Sequence, residues 1–163
     1  MRHSRIRTFI IELALAGVLC IATGTPARAE ENNPFALLVG KWRGSGLMEL
    51  SRNRKQRMTC DALYSGGAAQ LVLSIKCKGD IDQVDMSAKL SSNNGRLLGF
   101  WEEKVFKVAG SIAGTANKNK LNFKIIGPVT GTMEVAYSKT KQQVIITARG
   151  ISLEKLTMSM TRR

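Results

Sequence analysis

Histidine is almost missing from this chain: His3 is the one example in 163 residues. It falls in a segment expected to be removed, so the remaining protein lacks the imidazole on which Ser-His and Cys-His nucleophilic sites depend. Cysteine is scarce too, at three residues. Few thiols and no histidine leave zinc or copper without a donor set, and we expect no metal and no cofactor. Acids are outnumbered about two to one, 12 Asp and Glu against 25 Lys and Arg. No glycine-rich phosphate loop is present, and no stretch after residue 40 keeps a helical period over three turns. These absences leave a small, basic, strand-rich and non-catalytic domain.

The first residues read as an export signal. Arg2, Arg5 and Arg7 form a positive start, Phe9 to Ala22 is an apolar run, and Ala27-Arg28-Ala29 offers small residues for cleavage before Glu30. An uncleaved anchor is the alternative, but the run is short for a span of roughly 20 residues and Glu12 interrupts it. Lipid attachment at Cys20 is disfavoured by the large Leu19 before it. We therefore expect residues 1–29 to be a cleaved signal peptide and residues 30–163 to be one domain, periplasmic or secreted, with no membrane span. Cleavage removes four basic residues and one acid, leaving 21 against 11, a net charge of +10. That surplus suits an acidic neighbour: an envelope lipid or amphiphile, or an acidic exported protein. Nucleic acid is set aside because of the export signal, and plain solubility also accounts for the charge.

Alternation then organises the chain. Trp42, Gly44, Gly46, Met48 and Leu50 share one face of a first strand, with Asn33–Val39 as a helical turn leading into it. Met58, Cys60, Ala62 and Tyr64 share a face of the second, and Leu71, Leu73, Ile75 and Cys77 of the third. If the intervening turn centres between Ala68 and Ala69, Cys60 faces Cys77, Ala62 faces Ile75 and Tyr64 faces Leu73. Directly opposed cysteines in an exported protein predict a disulfide. Asn94-Gly95 is a strong hairpin signal and sets Ala88 against Trp101 and Leu90 against Gly99. The same register puts Glu103 on the inner face against Met86, where we expect a bulge. Later pairs are Gly114 with Phe123, Ile112 with Ile125, Val135 with Val144 and Met133 with Ile146. The fold class is thus all-β: an antiparallel up-and-down meander of 8–10 strands closing into a barrel, with a β-sandwich as runner-up.

Gly40-Lys41-Trp42, preceded by its helical turn, resembles the start of calycin barrels, the group that contains lipocalins and avidin. In that group the tryptophan closes one end of the barrel and a basic residue of the last strand packs across it. The resemblance implies Trp42 with Arg162, or alternatively Arg149, as that pair. The chain also resembles small exported bacterial metalloprotease inhibitors of avidin-like fold with one disulfide, and exported alphaproteobacterial proteins of the same strand-and-turn layout. It departs from lipocalins in lacking their second and third motifs, and its strands are short for a deep cup.

Two sets of candidate site residues follow. Trp42, Tyr64, Trp101, Met48, Met58 and Met86 are inward and adaptable, and would line an apolar pocket if they do not simply fill the core. Arg52, Arg54, Lys55 and Arg57 are the densest positive cluster and would meet an anionic head or an acidic partner, unless they are only a solvated turn. Acids are scattered, and adjacent Glu102 and Glu103 point to opposite faces, so a carboxylate-based hydrolase is a remote exception. The expected function is non-catalytic binding of an apolar or amphiphilic envelope ligand. The alternative is an exported inhibitor or protein-interaction module.

Overall fold

A computed structural model describes residues 33–163. The expected signal peptide, its cleavage point before Glu30, Cys20 and His3 lie outside the described residues. Period-two alternation, broken by short polar turns, gives ten strands: β1 (Gly40–Leu50), β2 (Arg54–Gly66), β3 (Gln70–Gly79), β4 (Gln83–Asn93) and β5 (Arg96–Glu103), then β6 (Val108–Asn117), β7 (Lys120–Ile126), β8 (Thr130–Tyr137), β9 (Lys141–Arg149) and β10 (Leu153–Arg162). Each pairs antiparallel with its chain neighbour, and β10 returns to pair with β1, closing the ring. Closure removes both sheet edges, which a sandwich would have left open. The barrel is complete within residues 33–163, and among them no helix is present. Residues before β1 make one turn, in which the amides of Leu38 and Val39 both donate to the Phe35 carbonyl, at 2.8 and 3.2 Å.

The registers follow from the side-chain pattern. Cys60 faces Cys77, Ala62 faces Ile75 and Tyr64 faces Leu73. Ala88 faces Trp101, Leu90 faces Gly99, Gly114 faces Phe123 and Val135 faces Val144. Cys60 and Cys77 are joined by a disulfide that projects into the barrel. Asn94 and Gly95 both take positive φ, 48° and 76°, as a two-residue hairpin turn with the strand twist requires. One expectation fails: there is no bulge at Met86–Glu103, and the ladder runs through unbroken. Glu103 is accommodated because its carboxylate accepts the amides of Asp85 (2.8 Å) and Phe106 (2.6 Å), replacing the water it loses on burial. The one register shift of the β1–β10 pairing lies at Glu49–Leu50 instead.

An up-and-down barrel has two unlike ends. The turn 33–39 and the hairpins 67–69, 94–95, 118–119 and 138–140 stand at one, while turns 51–53, 80–82, 104–107, 127–129 and 150–152 stand at the other. Phe35 and Leu38 are fully buried and plug the first end. From there a continuous core runs inward through Trp42, Tyr64, Leu71, Leu97, Leu121 and Met160.

Candidate functional site

At the plugged end, Trp42 donates its indole Nε1–H to the Leu38 carbonyl at 2.7 Å, tying β1 to the turn before it. Arg162, the last residue of β10, lays its guanidinium over the Trp42 ring at 4.5 Å from the centroid. The same guanidinium donates to the carbonyls of Val39 (2.5 Å), Leu37 and Lys139 (2.7 Å), so three segments meet on one side chain. Arg149, the alternative partner, is exposed at the opposite end of the barrel. Tyr64 meets Trp42 edge to face at 6.5 Å and accepts a hydrogen bond from Gln142 Nε2 at 2.6 Å. Burial pushes the Tyr64 phenol up to about 12, the Gln142 contact offsetting part of that rise. Tyr137 donates to the Pro34 carbonyl at 2.5 Å, and burial raises its phenol too. This end is closed.

The other end is different. Inward residues on β4 to β10 remain only partly buried there: Val84, Met86, Trp101, Ile125, Met133, Ile146 and Leu156. They are packed against the core on one side and reach solvent on the other, which makes an apolar mouth. Around it, the turns carry exposed apolar tips, with Ile81 86 % and Phe106 60 % accessible and Val105 and Ile151 also exposed. No hairpin of the plugged end carries such a residue. Trp101 packs against Gly110 on β6, where a Cβ would run into the indole and the Ile126 carbonyl. Its Nε1–H has no acceptor among the described residues. Gln142 Oε1 at the closed end is likewise buried without a donor, so an orphaned polar atom does not set the mouth apart.

The rim of the mouth is polar on the β1–β3 side. Arg52 and Asn53 form the β1–β2 turn with φ of 62° and 56°, and Arg52, Arg54, Lys55 and Arg57 are all exposed. The buried Gln56 amide, oriented to satisfy both its ends, accepts from the amides of Asp80, Ile81 and Asp82 at 3.0–3.1 Å and donates to the Asp82 carboxylate at 2.9 Å. It holds the β3–β4 turn, and with it Ile81, over that side. Sequence reasoning missed Gln56, Gln142 and the supporting role of Glu103. Their signal was available, since each is a polar residue at an inward position of its strand.

The structure therefore divides the candidate residues. Trp42 and Tyr64 belong to the closed end, while Met48 and Met58 are buried in the mouth half, Met48 in register with Gln56 and Leu156 and Met58 with Gly79. Trp101 and Met86 lie at the mouth, on the same end of the barrel as the basic turn. An open depression of about 820 Å³ lies along the wall of β1–β4 and reaches the mouth at Val84 and Val105. Its charged lining includes Arg43, Arg57, Lys76 and Lys78 with Asp61 and Asp85, and the pairs Arg43–Asp61 (3.6 Å) and Lys76–Asp85 (3.5 Å) neutralise part of it. Among the described residues no group of three or more His, Cys, Asp or Glu is arranged to hold a metal. No described helix is long and apolar enough to cross a membrane.

No family model matches the chain, and no curated protein matches it in sequence. Solved structures do resemble it. Rv2717c from M. tuberculosis superposes with a TM-score of 0.60 at 12 % identity, over 83 % of this chain and 98 % of that one. The S-type phycobiliprotein lyase CPES from Guillardia theta gives a TM-score of 0.53 at 13 % identity, over 79 % and 90 %. The likeness is one of fold alone, a closed antiparallel barrel.

Proposed function

We propose that this protein binds an apolar or amphiphilic molecule at the open mouth of its barrel and catalyses no reaction on it. The observation that carries the reading is the partial exposure of inward apolar side chains at the mouth. Those on β4 to β10 such as Met86, Trp101 and Ile146 are partly solvent-accessible there, and apolar tips extend the same surface outward. Leu50, Val129 and Ala148 of that end are buried, whereas Leu73 and Ala116 toward the plugged end are partly so. Leaving that much apolar surface in water is unfavourable by about 25 cal/mol per Å², so an occupant that covers it gains affinity. The cations of the β1–β2 turn stand at the same end and suit a phosphate, sulfate or carboxylate head. The fold-level likeness to a phycobiliprotein lyase supports a barrel that accepts a ligand, though fold alone does not transfer function. An envelope amphiphile is the ligand class we favour, with a periplasmic or secreted location. The disulfide supports that location, since it would not persist in a reducing compartment.

The test is titration with dodecyl sulfate below its micellar concentration, read by tryptophan fluorescence. Saturable binding that weakens at least tenfold in Ile146→Glu, with the fold intact, is the expected result. Equal binding by that variant would refute the mouth as the site. A second reading, an interaction module for an acidic exported protein, is favoured by the depression along β1–β4, where Arg57 and Lys78 have no acid within 4 Å among the described residues. It predicts partner loss in Lys78→Ser with dodecyl sulfate binding unchanged.

A further inference from the structure

The two ends differ in charge as well as in polarity. The plugged-end hairpins contain Lys118 and Lys139 and no acid. Lys41, Arg96 and Lys141 begin or nearly begin strands at the same level, and Arg163 follows β10 there. All six are exposed, and none has an acid within 4 Å among the described residues. Among the described residues the acids nearest this end are Asp61 and Glu134, and they are engaged by Arg43 at 3.6 Å and Lys120 at 3.8 Å. The other described acids, from Glu49 through Asp80, Asp82, Asp85, Glu102 and Glu103 to Glu154, lie in the mouth half among its cations. Among the described residues cations outnumber acids in both halves, and because the acids are concentrated in the mouth half the surplus is larger at the closed end.

We infer that the plugged end rests on an anionic lipid surface, which leaves the mouth directed away from the bilayer. The cations lie on the turns and strand ends of different hairpins at one end of the barrel, so they can meet a plane of phosphates together. The hairpins at this end carry no exposed aromatic side chain, which removes the stacking platform that single-stranded nucleic acid uses. The turns at this end have no apolar tips, and the exposed Leu63, in register with Lys41, and Leu98 lie on the outer wall beside them. Contact through the turns is therefore electrostatic and superficial. Lysines supply most of the ring, and their hydrated, flexible ammonium groups suit non-specific headgroup contact more than bidentate recognition. Each lysine near an anionic surface adds about 1 kcal/mol, or about fivefold in partitioning.

Cosedimentation with vesicles tests this independently of the mouth. The chain from Glu30 holds every strand, and using it avoids the apolar run of residues 9–22, which would partition by itself. It is expected to bind phosphatidylglycerol–phosphatidylcholine vesicles, to ignore pure phosphatidylcholine, and to be released by salt at roughly 0.5 M as the screening length shrinks. Lys118→Ser, Lys139→Ser and Lys141→Ser together should weaken binding roughly 100-fold. Arg52→Ser, Arg54→Ser and Lys55→Ser together should change it less than about threefold. Equal losses from the two triple variants would overturn the inference, since net charge would then be the whole cause. So would binding to pure phosphatidylcholine, or tighter binding to a single-stranded oligonucleotide than to vesicles at the same salt. Dodecyl sulfate binding at the mouth should be unchanged by the lysine triple variant, so failure of either reading leaves the other testable.

Discussion

Arg162 and Trp42 are separated by 120 positions in sequence and are neighbours in register, the last residue of β10 opposite the third of β1. The guanidinium lies on the indole at 4.5 Å while its N–H groups take the carbonyls of Val39, Leu37 and Lys139. Closure of the ring and attachment of the plug thus share one side chain. A planar fork with five donors can do both at once, and an ammonium group cannot.

Arg162→Lys should therefore be nearly as damaging as Arg162→Ala. Either change leaves buried or half-buried carbonyls without their donor, and we expect a loss of about 2–3 kcal/mol. Urea unfolding followed by tryptophan fluorescence measures it. A lysine variant within about 0.5 kcal/mol of the parent would show that charge alone suffices.

The disulfide offers a second check. Cys60 and Cys77 are 17 positions apart, and both are buried within the barrel. Closing a loop of that length stabilises the fold by about 3 kcal/mol in the chain-entropy account. Cys60→Ser with Cys77→Ser should fall short of the parent by about that amount in urea, and a reducing agent should bring the parent down to the same level. A reduced parent that unfolds at an unchanged midpoint would mean that β2–β3 pairing needs no crosslink.

Much of this scaffold was legible because alternation is a local signal and hairpin turns fix register. Cys60–Cys77, Ala88–Trp101 and Val135–Val144 all follow from counting outward from a turn. What the sequence left open was where along the barrel each inward residue falls, and therefore whether it is sealed or wet. Trp42 and Trp101 are both inward tryptophans, yet one is sealed beneath a plug and the other reaches the mouth. That difference depends on the turn 33–39 folding over one end and on nothing comparable covering the β4–β10 side of the other. Neither is a periodicity. Glu103 was misread for a related reason: its inward position was visible, but the two amides that donate to its carboxylate come from β4 and from the following turn.

Tyr64 predicts how stability responds to alkali. Its phenol titrates near the usual 10 in the unfolded chain and is pushed up to about 12 by burial in the barrel. Between those values the folded state holds a proton that the unfolded state has lost, so stability falls as pH rises. The contribution is complete below pH 10 and amounts to roughly 2–3 kcal/mol lost by about pH 12. Tyr137, raised in the same direction, adds to the fall. Urea midpoints from pH 8 to 12 should decline steeply above 10, and Tyr64→Phe should flatten much of that decline. An unchanged slope in the phenylalanine variant would assign the loss to other groups.

Glu103 supports the mouth by holding one of its turns. Oε1 accepts from the Asp85 amide at 2.8 Å and Oε2 from the Phe106 amide at 2.6 Å, joining β4 to the loop that carries Val105 and Phe106. Both oxygens are acceptors, so Glu103→Gln does not conserve the arrangement: one backbone N–H would face an amide NH₂. Glutamine should therefore cost about as much as alanine, roughly 2–3 kcal/mol, because a charge-assisted bond is lost and a buried donor is left unpaired. Hydrogen exchange separates local from global effects. The amides of Asp85 and Phe106 should exchange much faster in either variant, while Tyr64 and Leu71 at the plugged end stay protected. If glutamine restored parental protection at Phe106, the turn would be held by packing of its apolar tips rather than by the carboxylate beneath them.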